Sequence, residues 1–179
     1  MGEPGRDFMN DTILADWQIR ERLGDAPPLI DDLKDADTQI QPCGVDLTLR
    51  QISRFGGPGA IDYDNSARVI AERQVIEWVD GWVYLPAGSY HVIYNERVNL
   101  PPDIMALAYP RSSLLRCGAT VYTAVWDPGY SGRAEALLAV QNRDGLHLAQ
   151  NARIVQLVFT RLSNPVDSQY AGRYHGENT

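Results

Sequence analysis

The hydrophobic pattern along the chain is that of many short strands rather than long helices. Residues 45–49 (VDLTL) alternate apolar and polar side chains with a period of two, which is typical of a half-buried strand. Similar runs recur at intervals of roughly ten residues, each bounded by Gly, Pro or polar turns. They lie at residues 75–85 (broken at Asp80-Gly81), 89–94, 105–109, 119–126, 134–140 and 154–160. This pattern predicts a mainly β fold: an antiparallel sandwich, a jelly roll or a barrel.

Helical signals are confined to two short segments. Asp16 is a candidate N-cap for a helix over residues 17–23, which Gly24 would terminate. Residues 112–117 form a second candidate helix with Ser112 as its cap. Residues 25–37 contain two consecutive prolines and several acids, and this composition predicts a loop.

The composition predicts one globular domain with a short tail at each end. Apolar residues make up 44% of the 179 positions, enough for a single core. We predict a disordered N-terminal tail over residues 1–12, a β domain over 13–166 and a C-terminal tail over 167–179. No apolar run is long enough to span a membrane, and residues 1–12 lack the pattern of a secretory signal.

Charge and cysteine usage narrow the partners that the chain could take. The net charge of −7 disfavours duplex nucleic acid. Fifteen of the sixteen basic residues are Arg, which suits a local anion pocket, although a GC-rich genome explains the same count equally well. Cys43 and Cys117 show no metal-ligand spacing, and isolated thiols indicate a reducing compartment, by default the cytoplasm.

Two segments carry candidate chemistry. In residues 110–118 a strand leads into a helix that begins with Ser112 and Ser113 and has Arg on either side, an arrangement that can bind phosphate. The plain alternative is that Ser112 only caps the helix. Residues 127–132 (DPGYSG) could aim one carboxylate and one aromatic ring into a cleft, or could be an ordinary Gly/Pro turn.

Two further segments place polar groups inside strands. Asp46 lies among apolar residues and needs a partner or solvent at the edge of the sheet. Arg153 and Gln156 likewise lie within the last predicted strand. Each of these features is common by itself, so their order and spacing carry the argument.

In this order, the four segments resemble the motifs of the dUTPase/dCTP deaminase superfamily, most closely its archaeal dUTPase branch within the dCTP deaminase family. The segments are CGVDLTL at residues 43–49, RSSLLR at 111–116, VWDPGYSG at 125–132 and ARIVQL at 152–157. The resemblance covers residues 13–176. It implies a β-clip, or distorted jelly-roll, subunit in a homotrimer with active sites at the subunit interfaces.

The resemblance also implies a reaction, hydrolysis of dUTP to dUMP and pyrophosphate with Mg²⁺ held by the triphosphate rather than directly by the protein. Asp127 resembles the carboxylate that activates water, and Tyr130 the ring that packs under the deoxyribose. Residues 119–125 stand where the family reads the base. The candidate phosphate-binding and nucleotide-binding positions are Arg111, Ser112, Ser113, Arg116 and Gln156, with Tyr170, Arg173 and Tyr174 in the closing tail.

A second reaction shares this scaffold, the deamination of dCTP. That branch needs a glutamate ten residues after the motif aspartate, where this chain has Leu137, or Ala139 when counted back from Asn142. Glu135 lies two residues before Leu137 on the same strand face and is the candidate deaminase-type acid/base. The balance favours dUTP hydrolysis, with dCTP deaminase or bifunctional activity as the alternative. A binding module that has lost the chemistry also stays open.

Overall fold

The computed structural model describes residues 12–179 and confirms the mainly β fold class. The predicted N-terminal tail therefore lies, apart from residue 12, outside the described residues. Three short helices are present in the described part: α1 (Asp16–Glu21), α2 (Ala36–Gln39) and α3 (Ser112–Arg116). A 3₁₀ turn, Arg22–Gly24, continues α1. No helix in residues 12–179 is long and apolar enough to cross a membrane.

Thirteen strands lie in the described part of the chain. In chain order they are β1 (Ile30–Asp31), β2 (Ile40–Gln41), β3 (Gly44–Phe55), β4 (Arg73–Val75), β5 (Trp82–Leu85), β6 (Gly88–Tyr94), β7 (Arg97–Asn99), β8 (Ile104–Pro110), β9 (Ala119–Tyr122), β10 (Ser131–Gly132), β11 (Glu135–Val140), β12 (Leu146–Ala149) and β13 (Arg153–Arg161).

These strands form three antiparallel sheets. The main sheet has the order β8-β13-β3-β6-β11-β9, with β2 and β4 also pairing with β3. A three-stranded sheet has the order β1-β7-β10, and β12 pairs with β5. Strand β10 belongs to the three-stranded sheet and β11 to the main sheet. The turn at residues 127–130, which precedes β10, therefore lies where these two sheets meet.

Strand β3 is the element that joins the two halves of the main sheet. Its first half pairs with β13, and its second half pairs with β6 beyond a register shift between Leu49 and Gln51. Leu47, Leu49 and Ile52 on this strand are fully buried. Burial of an aliphatic side chain of this size contributes about 1.5–3 kcal/mol, so β3 forms the centre of the core.

Both predicted helix caps are wrong. The N-cap of α1 is Ala15, whose backbone N–H donates to the Gln18 side chain at 2.8 Å, and Asp16 is already inside the helix. The α-helix ends at Glu21, two residues earlier than predicted. The N-cap of α3 is Arg111 and has no side-chain capping bond, so Ser112 is the first helical residue. Its hydroxyl is therefore not used as a cap.

Several predicted boundaries are also wrong. Strand β9 ends at Tyr122 rather than at residue 126, because the chain leaves β11 there and Trp126 pairs instead with Ala106 on β8. The predicted strand 75–85 divides into β4, which ends at Val75, and β5. The predicted loop 25–37 contains β1 and the beginning of α2.

Candidate functional site

A pocket of about 450 Å³ lies between the turn that follows Trp126, strands β6 and β11, and the C-terminal tail. It brings together five of the residues that the sequence singled out: Asp127, Tyr130, Glu135, Tyr170 and Tyr174. Its other walls come from Phe55, Ile70, Ala71, Arg73, His91, Ala124, Val125, Trp126, Ala134 and Glu177. The pocket therefore combines apolar walls with a charged corner.

The turn at Asp127 is closed by its own backbone. The N–H of Tyr130 donates to the carbonyl of Asp127 at 3.0 Å. Gly129 adopts a φ of +87°, and a Cβ there would lie 2.6 Å from Cβ of Gln169, so only glycine fits. The Asp127 side chain is exposed and, within residues 12–179, accepts no hydrogen bond and makes no ion pair. Its carboxylate is consequently available to a water molecule or a ligand.

Tyr130 forms a buried wall of the pocket. The residue is 7% exposed, and its hydroxyl donates a 2.9 Å hydrogen bond to Oε1 of Glu177. Burial raises the pKa of Tyr130 well above its ordinary value, and the nearby Glu177 carboxylate acts in the same direction. The phenol is therefore neutral, and its ring presents a flat apolar face.

The C-terminal tail folds back over the pocket of its own chain. The N–H of Gly176 donates to the carbonyl of Ser131 at 2.7 Å, and that of Arg133 donates to the carbonyl of Glu177 at 3.0 Å. Upstream, the N–H of Tyr170 donates to the carbonyl of Pro128 at 2.8 Å. Arg173 is exposed and does not line the pocket.

Glu135 lies in the charged corner and is held by three groups. Its Oε2 is 2.6 Å from NH1 of Arg73 and 3.0 Å from Nε2 of His91, and its Oε1 accepts from Asn178 at 3.1 Å. Burial alone would raise the pKa of Glu135. The hydrogen bonds from His91, Arg73 and Asn178 outweigh that effect and lower the pKa to about 2.

This geometry refines the expectation for Glu135. Glu135 has a structural arginine partner, Arg73 on β4. In the β6–β11 pair, Glu135 is opposite Ile93, and Leu137 is opposite His91. His91 and Glu135 are therefore diagonal neighbours on one sheet face, which explains their contact.

A second group of predicted residues surrounds Asp46 on β3. Asp46 is 1% exposed, and its Oδ2 lies 2.9 Å from Nε of Arg111 and 3.3 Å from NH1 of Arg153. Burial raises the pKa of Asp46, and the two guanidinium groups oppose that shift. Arg111, predicted to bind phosphate, is thus also a partner of a buried carboxylate.

The remaining candidate phosphate ligands lie on the same side of the molecule. Ser112, Ser113 and Arg116 are exposed on α3, and their side chains make no hydrogen bond or ion pair within the described range. Gln156 is half-buried on β13, and its Nε2 lies 3.8 Å from Sγ of Cys43. These side chains are open to an approaching ligand.

The two groups do not share a cavity within one chain. Trp126 pairs with Ala106 near the beginning of β8, whereas Arg111 follows the end of that strand and bonds to Ile154. Five residues of extended chain separate Ala106 from Arg111, about 16 Å. None of the candidate phosphate ligands lines the 450 Å³ pocket.

Sequence reasoning missed three titratable members of the pocket, Arg73, His91 and Glu177. Arg73 lies in a stretch without any motif, and Glu177 lies just beyond the YAGRYHG segment of the tail. His91 is buried and contacts both Arg73 and Glu135. These residues meet only through long-range pairing of strands, so no local signal identifies them.

Comparison with known proteins agrees with this architecture. The model of the dCTP deaminase-like family matches residues 13–162. A probable deoxyuridine 5'-triphosphate nucleotidohydrolase of Archaeoglobus fulgidus is 55% identical over 166 residues, covering 93% of this chain and 97% of the relative. A protein of the same name from Methanococcoides burtonii is 49% identical over 168 residues, covering 93% and 99%.

A solved structure gives the same result. The crystal structure of 2'-deoxycytidine 5'-triphosphate deaminase from Agrobacterium tumefaciens matches with a TM-score of 0.60 and 26% sequence identity. The match covers 84% of this chain and 48% of the deaminase, so the chain spans about half the length of that protein. On these findings, the chain belongs to the dCTP deaminase-like family.

Proposed function

We propose that this chain hydrolyses dUTP to dUMP and pyrophosphate. The observation that carries the proposal is the contrast between two carboxylates of the pocket, Asp127 and Glu135. Asp127 is exposed and unpaired among the described residues, whereas Glu135 is held by Arg73, His91 and Asn178. The carboxylate available for chemistry is thus the one suited to activate water for attack on phosphorus. The near full-length relatives named as dUTP nucleotidohydrolases support the same substrate.

Asp127 acts as the general base in this proposal. It accepts a proton from a water molecule as the water oxygen forms a bond to the α-phosphorus of dUTP. The bond from that phosphorus to the bridging oxygen breaks, and pyrophosphate leaves. A positioned base contributes typically ~10²–10⁴-fold to such a step.

Tyr130 sets the selectivity for the sugar. Its neutral, buried ring packs against the deoxyribose and leaves no room for a 2'-hydroxyl. The bond from its hydroxyl to Glu177 fixes the ring orientation and links the sugar wall to the tail. Tyr170 and Tyr174 then close the pocket, and Arg173 reaches the phosphates from the exposed side of the tail.

The phosphate ligands come from a second copy of the chain. Ser112, Ser113, Arg116 and Gln156 are open to a ligand but lie apart from their own pocket. A homotrimer in which α3 of one copy meets the pocket of its neighbour completes the site. Arg111, fixed by Asp46, orients the beginning of α3 and offers its remaining N–H groups to the triphosphate.

The residues of the site fit a magnesium ion that is carried by the triphosphate. Mg²⁺ prefers oxygen ligands, and the oxygens of a triphosphate supply them. Asp46 is committed to two arginines, and Asp127 stays available as the general base. Within residues 12–179, no group of three or more His, Cys, Asp or Glu could hold a metal by itself. When bound, the ion neutralises charge on the phosphoryl oxygens.

The second candidate function is deamination of dCTP, alone or beside dUTP hydrolysis. Glu135 supports it, because this residue lines the same pocket as Asp127 and Tyr130. We place the protein in the cytoplasm in either case. Its two exposed free thiols support a reducing compartment.

Product analysis tests the proposal directly. The purified chain is incubated with dUTP or dCTP, in Mg²⁺ or in excess EDTA, and nucleotide products and ammonia are measured. We expect dUMP and pyrophosphate from dUTP in Mg²⁺, and no ammonia from dCTP. Ammonia from dCTP would establish the deaminase. Tight nucleotide binding without any product would indicate a binding module.

A further inference from the structure

The charged corner of the pocket has hydrogen-bonding capacity that its own contacts do not use. NH1 of Arg73 contacts both Glu135 and His91, whereas its Nε and NH2 have no partner among the described residues. Arg73 lines the pocket and its side chain is 29% exposed, so these donors are open to a ligand in the pocket. Arg73 can therefore donate to a ligand while it holds Glu135.

Two neighbours of Arg73 in the pocket offer further hydrogen-bonding groups: Glu135 an acceptor and Trp126 a donor. An ionised carboxylate offers about four acceptor positions, and three of those on Glu135 are filled by Arg73, His91 and Asn178. Trp126 is 2% exposed, lines the pocket, and its Nε1–H has no hydrogen-bond partner. A buried donor without a partner is uncommon and is readily explained by a ligand that bonds to it.

We propose that Arg73 is a specificity-determining residue that makes this pocket prefer uracil to cytosine. This inference rests on the proposed function. The edge of uracil presents an acceptor, a donor and an acceptor: O4, N3–H and O2. The same pocket offers the complementary groups, with Arg73 and Trp126 as donors and the last acceptor position of Glu135. Cytosine has an amino group in place of O4 and an unprotonated N3, so its amino donor faces Arg73 and its N3 faces a carboxylate.

The same contact withholds Glu135 from deamination. A group that moves protons between water, ring nitrogen and leaving ammonia must alternate between acid and carboxylate. His91 and Arg73 together keep Glu135 ionised, and the depressed pKa of about 2 agrees with this geometry. Arg73 thus acts against cytosine in two ways. It favours binding of the uracil edge, and it helps to keep Glu135 from donating the proton that deamination of cytosine needs.

The test compares Arg73→Met with the matched variant Arg54→Met. Arg54 is an exposed arginine on the neighbouring strand β3 and does not line the pocket. Binding of the non-hydrolysable α,β-imido analogues of dUTP and dCTP is measured by calorimetry, and dUTP hydrolysis by steady-state kinetics. For Arg73→Met we expect the uracil preference to fall at least tenfold, with KM raised and kcat nearly unchanged. Arg54→Met should match the wild type.

The outcomes separate this inference from the proposed function. A wild type without dUTP hydrolysis contradicts the proposed function, whereas an active Arg73→Met variant with an unchanged uracil preference overturns only the role of Arg73. If that variant does not fold, Arg73→Gln, which is shorter and uncharged, is compared in its place. A fall in the uracil preference supports the role of Arg73, and an unchanged preference overturns it.

Discussion

At the scale of single residues, the chemistry depends on which carboxylates are already engaged. Four acidic side chains near the candidate site differ in their partners. Asp46 and Glu135 are bound to arginines, Glu177 accepts from Tyr130, and Asp127 has no partner among the described residues. A carboxylate without an ion pair can accept a proton from water more readily than one held by a guanidinium.

Replacing Asp127 tests this distinction. Asp127→Asn preserves size and removes the base, so we expect kcat for dUTP to fall by at least ~10² while nucleotide affinity changes little. Asp144→Asn, at another exposed aspartate in a turn outside the pocket, is the control and should retain wild-type turnover. An Asp127→Asn enzyme with wild-type kcat would remove Asp127 from the mechanism.

A different residue, Glu96, is important for stability rather than chemistry. It is fully buried, and its two oxygens accept from Nε2 of Gln39 at 2.8 Å, from the Thr48 N–H at 2.8 Å and from the Thr48 hydroxyl at 2.5 Å. Glu96→Gln replaces one acceptor oxygen by an NH₂ donor. A buried donor then faces another donor instead of an acceptor. We expect the free energy of unfolding to fall by about 1–3 kcal/mol. Denaturant titration measures this change.

The matched control for stability is Glu77→Gln on the surface. It should leave the denaturation midpoint unchanged. A Glu96→Gln variant as stable as the wild type would show that Thr48 and Gln39 find other acceptors.

At the scale of elements, local patterns predicted the strands that alternate or are rich in β-branched residues. Strands β6, β8, β11 and β13 lie within one or two residues of their predicted bounds. The second half of β3 was missed because the register shift after Leu49 breaks its alternation. The end of β9 was wrong because Trp126 is apolar and β-prone, yet its pairing partner is on β8. Long-range pairing, which a local pattern does not contain, decided both cases.

The residues of the candidate site likewise fall into those that a local motif identifies and those that only long-range pairing brings to the site. Asp127, Tyr130 and the α3 positions were identifiable from contiguous motifs. Arg73 and His91 reach the pocket only because β4 and β6 both pair with β3. The cap predicted at Ser112 failed because Arg111 adopts the extended cap conformation, and this leaves the serine hydroxyls open.

The C-terminal tail is the element whose removal is most informative. A chain ending at Asp167 lacks the bonds to Pro128, Ser131 and Arg133 but keeps nearly all of the buried core. We therefore expect similar thermal stability and a KM for dUTP raised about tenfold or more, because closing segments hold substrate and exclude water. Removing Thr179 alone is the control. An unchanged KM in the shortened chain would mean that the tail does not close over the substrate.

At the scale of the whole molecule, the net charge of −7 opposes an anionic substrate, so the local arrangement of arginines must overcome it. Arg111, Arg116 and Arg153 cluster around α3 and β13, and only one buried aspartate, Asp46, lies among them. The pocket with Asp127 lies at the other end of β8. In the homotrimer that we propose, each chain contributes one half of two different sites, which a closed ring of identical subunits would complete.

Mixing two defective variants tests this arrangement. Asp127→Asn damages the pocket and Arg116→Ala the phosphate side, so each homotrimer should be impaired at every site. In trimers assembled at random from equal amounts of both, an interface site takes Asp127 from one copy and Arg116 from its neighbour, and about one quarter of the sites are intact. We expect trimers co-expressed from equal amounts of both variants, purified without selection for mixed species, to recover dUTP hydrolysis to about that fraction of the wild type. If each site were built within one chain, every copy would carry one defect, and mixing would give only the average of the two variants. Such an average would contradict the interface site, while the recovered quarter would assign the two halves to different copies.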